Sequence, residues 1–115
     1  FIYMKVIITE SQIDKLTMKF INDSYGLEEY VDEKYPTIVF FVRDNKVYIE
    51  HETVKNELYI SKRLMHNIRR NLENIFGIGM GDGRRLFNMF IDQYADTGMN
   101  DIYFSEVLPA NMESL

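Results

Sequence analysis

The chain opens with a helical pattern of apolar residues. Residues 10–21 place Ile13, Leu16 and Phe20 at the three- and four-residue spacing that brings side chains to one face of a helix. A Thr-x-x-Gln capping box at residues 9–12 favours a helix start at the same point. The pattern therefore predicts an N-terminal amphipathic helix.

The middle of the chain changes from helical spacing to strand composition. Residues 37–42 are a β-branched and aromatic run, and residues 47–52 alternate apolar with polar side chains. Turn-forming residues 43–46 separate them and predict a β-hairpin, to which residues 58–60 can add a third strand. The acidic stretch 27–34 predicts a loop.

Two further amphipathic helices are predicted after the hairpin. Residues 61–76 carry an apolar arc of about 120°, and Gly77 is placed to end this helix in the left-handed conformation. Residues 83–95 carry an apolar arc of about 200°, which a single packing partner rarely covers. We therefore expect this last helix to lie at the centre of the core or to be shared with a second chain.

Residues 100–115 form a tail without helical periodicity. The tail includes a strand-like run at residues 102–104 and scattered apolar residues around Pro109. Either a groove of the domain itself or a neighbouring molecule would hold such a segment, so we interpret it as an interaction tail. The tail and the wide arc together predict a protein-binding surface. Its candidate residues are Met89, Phe90, Ile91, Tyr94, Val107, Leu108 and Met112.

Length and composition place bounds on the fold. A chain of 115 residues with 46% hydrophobic residues and no cysteine can bury a core without disulfides, which predicts a single domain over residues 1–115. The order of elements predicts an α+β fold with an N-terminal helix, a two- or three-stranded antiparallel sheet and a C-terminal helical pair with an extended tail. The apolar runs are far shorter than the roughly 20 residues that cross a bilayer, and no signal-peptide pattern opens the chain. We expect neither membrane insertion nor secretion by a signal peptide.

Basic residues are concentrated in one part of a chain whose net charge is −5. Seven of the 13 Lys and Arg residues lie at positions 55–85, and none lies after them. Guanidinium groups bind phosphate well, and the glycine-rich loop 77–83 offers backbone amides to an anion. The candidate anion-binding residues are Arg69, Arg70, Arg84 and Arg85. A helix before the loop and the spacing of its glycines favour an interhelical turn over a nucleotide site, and a solvated or internally paired basic face is the competing interpretation.

Patterns typical of catalytic or metal sites are weak. His51 lies between Glu50 and Glu52, but alternation along a strand points the histidine and the two carboxylates to opposite faces. His66 has no carboxylate three or four residues away, and no serine lies in a nucleophile elbow. We therefore predict no catalytic residues, no metal site and no cofactor.

The first helix start also carries a family resemblance. Residues 4–12, Met-Lys-Val-Ile-Ile-Thr-Glu-Ser-Gln, resemble the opening of many small uncharacterised proteins of tailed bacteriophages, which begin Met-Lys-x-Ile-Ile-Thr-Glu-Ser-Gln. The helix that ends at residues 75–77 and the aromatic-rich helix after it are also similar to those proteins. The resemblance implies a viral context, in the host cytoplasm or the virion, as a virion component or a small factor that binds a host or phage protein. These proteins share no established activity, so no functional residue is transferred from them.

The function we expect is a non-enzymatic protein–protein interaction or assembly protein that binds a protein partner or another copy of itself. The alternative is a nucleic-acid-binding factor that uses the basic helix-loop-helix segment 61–95. A connection longer than that of a helix-turn-helix and a pI near 5.0 count against this alternative.

Overall fold

The computed structural model describes residues 10–94 and 101–110, which form three helices and five strands. In chain order these elements are α1 (Glu10–Tyr25), β1 (Glu28–Val31), β2 (Ile38–Arg43), β3 (Lys46–Glu52), β4 (Glu57–Ser61), α2 (Lys62–Phe76), α3 (Met80–Asp92) and β5 (Asp101–Ser105).

The five strands form one mixed sheet in the order β1-β2-β3-β4-β5. The first four strands run antiparallel to their neighbours, as expected of strands joined by short turns. The fifth strand pairs parallel with β4, from Glu57 opposite Asp101 to Ser61 opposite Ser105. A parallel neighbour requires a long crossover, and α2 and α3 lie within it.

The structure confirms the α+β class, but the predicted two- or three-stranded antiparallel sheet is wrong in strand number and in direction at one edge. The predicted loop at residues 27–34 contains β1, whose residues pair with β2 from Glu28 opposite Val42 to Val31 opposite Val39. Because β1 is an edge strand whose side chains are mostly exposed, its acidic composition is compatible with a strand. The pairing of β5 joins residues more than 40 positions apart, which local patterning does not reveal.

The β2–β3 hairpin follows the predicted turn chemistry. Asp44 and Asn45, the two residues between the strands, both have positive φ angles, of 51° and 63°. Asn and Asp adopt this left-handed conformation more readily than other non-glycine residues, which makes them suitable for a two-residue hairpin turn. Phe41 pairs with Ile49 and Val42 with Val47, so β3 carries a bulge at Tyr48 next to the turn.

The helices match their predicted positions with shifted ends. The third helix runs from Met80 to Asp92 rather than from residue 83 to residue 95, and residues 93 and 94 form a turn after it. The first helix continues to Tyr25, because Arg43 of β2 donates hydrogen bonds to the carbonyls of Asp23 and Gly26 at its C-terminus, at 3.2 and 3.0 Å. The capping box that predicted the start of α1 depends on Thr9, which also lies outside the described residues.

The main core lies between the three helices and one face of the sheet. On α1 the fully buried residues are Thr17 and Ile21, whereas Ile13 and Leu16 of the predicted apolar face are exposed. The reason is that α1 is tied to α3 by polar contacts: Asp14 to Arg85, and Asn22 to Gln93 at 2.9 Å. The buried residues of this core are Ile21, Phe41, Ile49, Leu58, Ile60, Leu64, Ile68, Leu72, Leu86, Phe87, Phe90 and Ile91.

A second, smaller core lies on the opposite face of the sheet. Phe40, Val42 and Val47 are buried there beneath Leu108 of the tail. The described part of the tail therefore packs on the domain's own sheet, which is one of the two ways in which the sequence could hold it.

Candidate functional site

A basic groove lies between α2 and the start of α3. Its volume is about 400 Å³. Residues 66, 69, 70 and 73 follow the three- and four-residue spacing of one helix face, so they line the groove together, while the buried face of α2 packs on the sheet. The lining residues are His66, Arg69, Arg70 and Glu73 of α2 and Ile78, Gly79, Met80 and Gly83 around the start of α3.

The glycine-rich connection shapes this groove. Gly77 adopts a left-handed conformation, with φ of 64°, and its N–H donates to the carbonyl of Glu73 at 2.9 Å, which ends α2. Gly79 is the N-cap of the following helix and offers no side-chain cap, and the N–H of Gly83 makes the first helical bond to the carbonyl of Gly79. The first amides of α3 are therefore open to a ligand or to water, and they carry the positive end of the helix dipole.

The four candidate arginines do not form one cluster. Arg69 and Arg70 lie together in the groove, and no described residue forms an ion pair or hydrogen bond with their guanidinium groups or with that of Arg84. Arg84 is exposed and does not line the groove. Arg85 instead forms a bidentate pair with Asp14 of α1, at 2.6 and 3.0 Å, and lies 3.6 Å from Asp82. The hydrogen bond from Arg85 lowers the pKa of Asp14, as expected when a guanidinium stabilises the carboxylate.

The wide apolar arc of α3 is used largely by the domain itself. Phe90 and Ile91 are buried in the main core, and Met89 is exposed. The ring of Tyr94 lies 5.1 Å from that of Phe41 and 5.2 Å from that of Phe90, and its hydroxyl accepts a hydrogen bond from the N–H of Leu27 at 2.9 Å. The last helix packs against α1 and α2, and its Phe87 also contacts Phe104 of the sheet, which explains why its arc is wider than one partner requires.

The candidate partner-binding residues of the tail are likewise partly buried and partly exposed. Leu108 is only 8% exposed, whereas the neighbouring Val107 is 58% exposed. Met112 lies outside the described residues. Of the seven candidate partner-binding residues, Met89 and Val107 are therefore the two described ones that are exposed on the surface.

The outer edge of β5 exposes a run of three large apolar side chains. Ile102, Tyr103 and Phe104 are each between 40 and 47% exposed, and no described strand pairs with their outer side. Their inner sides are held in place: the ring of Tyr103 stacks on Tyr59 at 5.1 Å, and the ring of Phe104 lies 6.1 Å from that of Phe87. Partial desolvation of the Tyr103 hydroxyl, together with the nearby carboxylates of Asp101 and Glu57, raises the pKa of Tyr103. The sequence indicated a strand here, but its position at the sheet edge depends on the parallel pairing with β4.

Glu50 and His51 lie on opposite faces of the sheet, as the alternation along a strand predicts. Glu50 is only 1% exposed, and both of its carboxylate oxygens accept from the N–H of Ala110, at 3.2 and 3.3 Å. His51 faces the opposite side of the sheet, where its Nε2 lies 3.0 Å from the side-chain oxygen of Asn56. Burial raises the pKa of Glu50, and the hydrogen bond from Ala110 offsets part of that effect.

The buried carboxylate belongs to the attachment of the tail. Besides the bond from Ala110 to Glu50, the hydroxyl of Tyr35 donates to the carbonyl of Ala110 at 3.4 Å. Glu50 therefore binds a backbone amide of the tail and is shielded from solvent. This is a structural arrangement that sequence reasoning did not find, because it joins residues 60 positions apart.

Two searches of the described residues bear on function. No group of three or more His, Cys, Asp or Glu side chains could hold a metal ion in residues 10–94 and 101–110. Within the same part of the chain, every helix is too short or too polar to cross a membrane.

Comparisons with protein-family models, with curated proteins and with solved structures found no match. The function is therefore inferred from the residues and surfaces of the chain itself.

Proposed function

We propose that this chain is a non-enzymatic protein–protein interaction or assembly protein that binds another polypeptide at the outer edge of β5. The observation that carries the proposal is the run Ile102, Tyr103 and Phe104, whose side chains are exposed on a strand edge with which no other described strand pairs. An extended segment that pairs with such an edge gains main-chain hydrogen bonds and side-chain contacts on both faces of the sheet.

The two edges of the sheet differ in a way that supports this choice. Natural sheets protect an edge strand with charged residues, short length or a covering element. At β1 the exposed residues include Glu28 and Glu29, which oppose pairing with another strand. Between the terminal residues Asp101 and Ser105, β5 carries no charge. Val107, shortly after the end of β5, is also exposed.

The resemblance of residues 4–12 to small proteins of tailed bacteriophages supports the same class of function. A phage-encoded virion component, or a small factor that binds a host or phage protein, acts through contacts with other polypeptides. On this proposal the protein is located in the host cytoplasm or in the virion.

Selection of peptides tests the proposal. A library of extended heptapeptides would be selected against the full chain and then measured against Ile102→Lys and Phe104→Lys, which place charges on the β5 edge. Val31→Lys places the same charge on the β1 edge, where Val31 is exposed, and is the matched control.

We expect selected peptides to bind at least about tenfold more weakly to the two β5 variants and equally well to the control. Peptides that bind all three variants alike, or a library that yields no binder, would contradict the proposal.

The second candidate function is nucleic-acid binding by the segment 61–95. The specific observation in its favour is that Arg69 and Arg70 lie together in a groove beside the open amides of α3. Phosphate contacts predict that binding to a mixed-sequence oligonucleotide falls steeply as salt rises, and that Arg69→Ala with Arg70→Ala reduces the salt dependence. Arg63→Ala, also an exposed arginine of α2, is the control. No binding in a low-salt filter assay would exclude this candidate.

A further inference from the structure

We propose that the polypeptide bound at β5 is a second copy of this chain, whose own β5 pairs antiparallel with the first around a twofold axis at Tyr103. This inference rests on the proposed function, because it uses the same strand edge. Its product is a symmetric dimer in which two five-stranded sheets become one continuous sheet.

The sequence of β5 is complementary to itself in this register. Antiparallel pairing centred on Tyr103 places Ile102 opposite Phe104 of the second copy and Asp101 opposite its Ser105. Ile102 and Phe104 lie on the helix-facing side of the sheet and are both partly exposed, so each would be covered by the other. Tyr103 meets its own equivalent on the opposite face. Aromatic and β-branched pairs of this kind stabilise neighbouring strands.

Within the paired strands, residues 101–105 of each copy, no like charges lie opposite each other. Asp101 lies opposite a serine at each end of the paired strands, so its carboxylate faces a neutral hydrogen-bonding group. The corresponding pairing of β1 around Glu29 would place that carboxylate directly against its own equivalent, which is destabilising. The pairing of β5 centred on Tyr103 avoids the like-charge contact that the pairing of β1 centred on Glu29 would create.

The charge of the whole chain predicts how salt acts on the dimer. Each copy has a net charge of −5, and residues 86–115 contain no Lys or Arg that could attract the acidic partner. Added salt screens the repulsion between copies, so we expect dimerisation to strengthen between about 50 and 300 mM salt. Nucleic-acid binding would respond in the opposite direction.

Sedimentation of the full chain at several concentrations and salt levels gives the first test. We expect a concentration-dependent dimer, whose dissociation constant rises at least about tenfold in Ile102→Lys and in Phe104→Lys, because each change occurs twice in a symmetric interface. Val31→Lys at the β1 edge and Leu16→Lys on the exposed face of α1 are controls that should leave it unchanged.

Crosslinking at the symmetry axis gives the second test. The chain contains no cysteine, so Tyr103→Cys introduces a single thiol that lies beside its own equivalent in the proposed dimer. Mild oxidation should give a covalent dimer from Tyr103→Cys and only background levels from Val31→Cys. Circular dichroism establishes whether each variant is folded. If Tyr103→Cys does not fold, the lysine variants Ile102→Lys and Phe104→Lys still test the same strand edge.

The outcomes separate this inference from the proposed function. A chain that stays monomeric at hundreds of micromolar, or a dimer that responds equally to β1 and β5 changes, overturns the second copy as the partner. If that monomer still selects peptides that depend on β5, the proposed function stands with a different partner. If it selects none, both are overturned.

Discussion

The packing of the tail on its own sheet predicts a specific loss of stability when Leu108 is replaced by alanine. Leu108 is 8% exposed and packs with Phe40, Val42 and Val47. Leu108→Ala removes three carbon atoms, and at about 0.8 kcal/mol for each buried CH₂ the transfer free energy lost is about 2.4 kcal/mol. The cavity left beneath the tail adds little, because a surface segment can relax into it.

We therefore expect the free energy of unfolding to fall by about 2 to 3 kcal/mol, and Tm to fall by about 10 °C. Urea unfolding followed by circular dichroism gives the free energy, provided that the m value matches that of the wild-type chain. Val107→Ala is the matched control, because the neighbouring side chain is 58% exposed and its truncation should change stability by less than about 0.5 kcal/mol.

A result in which the two substitutions have the same small effect would refute the reasoning. It would mean that the tail contributes nothing to the second core in solution, and that Phe40, Val42 and Val47 are covered in some other way. A large effect of Val107→Ala would refute it equally, because it would place the wrong side of the tail against the sheet.

Three further predictions follow from single residues. Burial raises the pKa of Glu50 above its usual 4.5. The stability that comes from the protonated Glu50 carboxyl is therefore fully present below pH 4.5 and is lost as the pH rises through the pKa of the folded state. Glu50→Gln should therefore be more stable than the wild-type chain at pH 7, and the difference in free energy of unfolding should become smaller towards pH 4. Urea titrations in which this difference does not depend on pH would contradict the prediction. Arg85 lowers the pKa of Asp14 below its usual 3.8, so Asp14→Asn should destabilise the chain at pH 7, and this loss should shrink as the pH falls below 3.8. Asp23→Asn, in the exposed pair with Lys19, is the control and should change stability by less than about 0.5 kcal/mol over the same pH range. Gly77 has a φ of 64° with open space around it, so Gly77→Ala should lower the free energy of unfolding by about 1 kcal/mol through backbone conformation alone. Gly79→Ala, at a φ of −71°, should lower it by less. Equal losses in thermal unfolding would be inconsistent with the left-handed end of α2.

Local patterning predicted the elements whose signals are contained within a few residues. The hairpin follows from two strand-like runs around Asp44 and Asn45, and α2 follows from its narrow apolar arc and from Gly77 at its end. Patterning missed β1, because an edge strand with exposed side chains needs no apolar residues to pair through its backbone.

The candidate site was less accessible to sequence reasoning. Four arginines looked equivalent in the sequence, yet Arg85 is held by Asp14, 71 positions away, and only Arg69 and Arg70 share a groove. The arc of α3 indicated either a central helix or a shared one, and the contacts of Phe90, Ile91 and Tyr94 show that it is largely central. Each of these outcomes depends on which residues meet across the fold.

By itself, the sequence determined the class of the fold, the hairpin, the two helices around the glycine-rich loop and the concentration of basic charge, because these depend on spacing and turn chemistry within short segments. Only the tertiary structure decided that β5 forms an exposed edge, that Leu108 and Glu50 hold the tail, and which arginines remain accessible. Those features arise because residues far apart in the sequence pair or pack against each other. A local pattern does not identify which residues will meet, so it cannot give the free energy of their contacts.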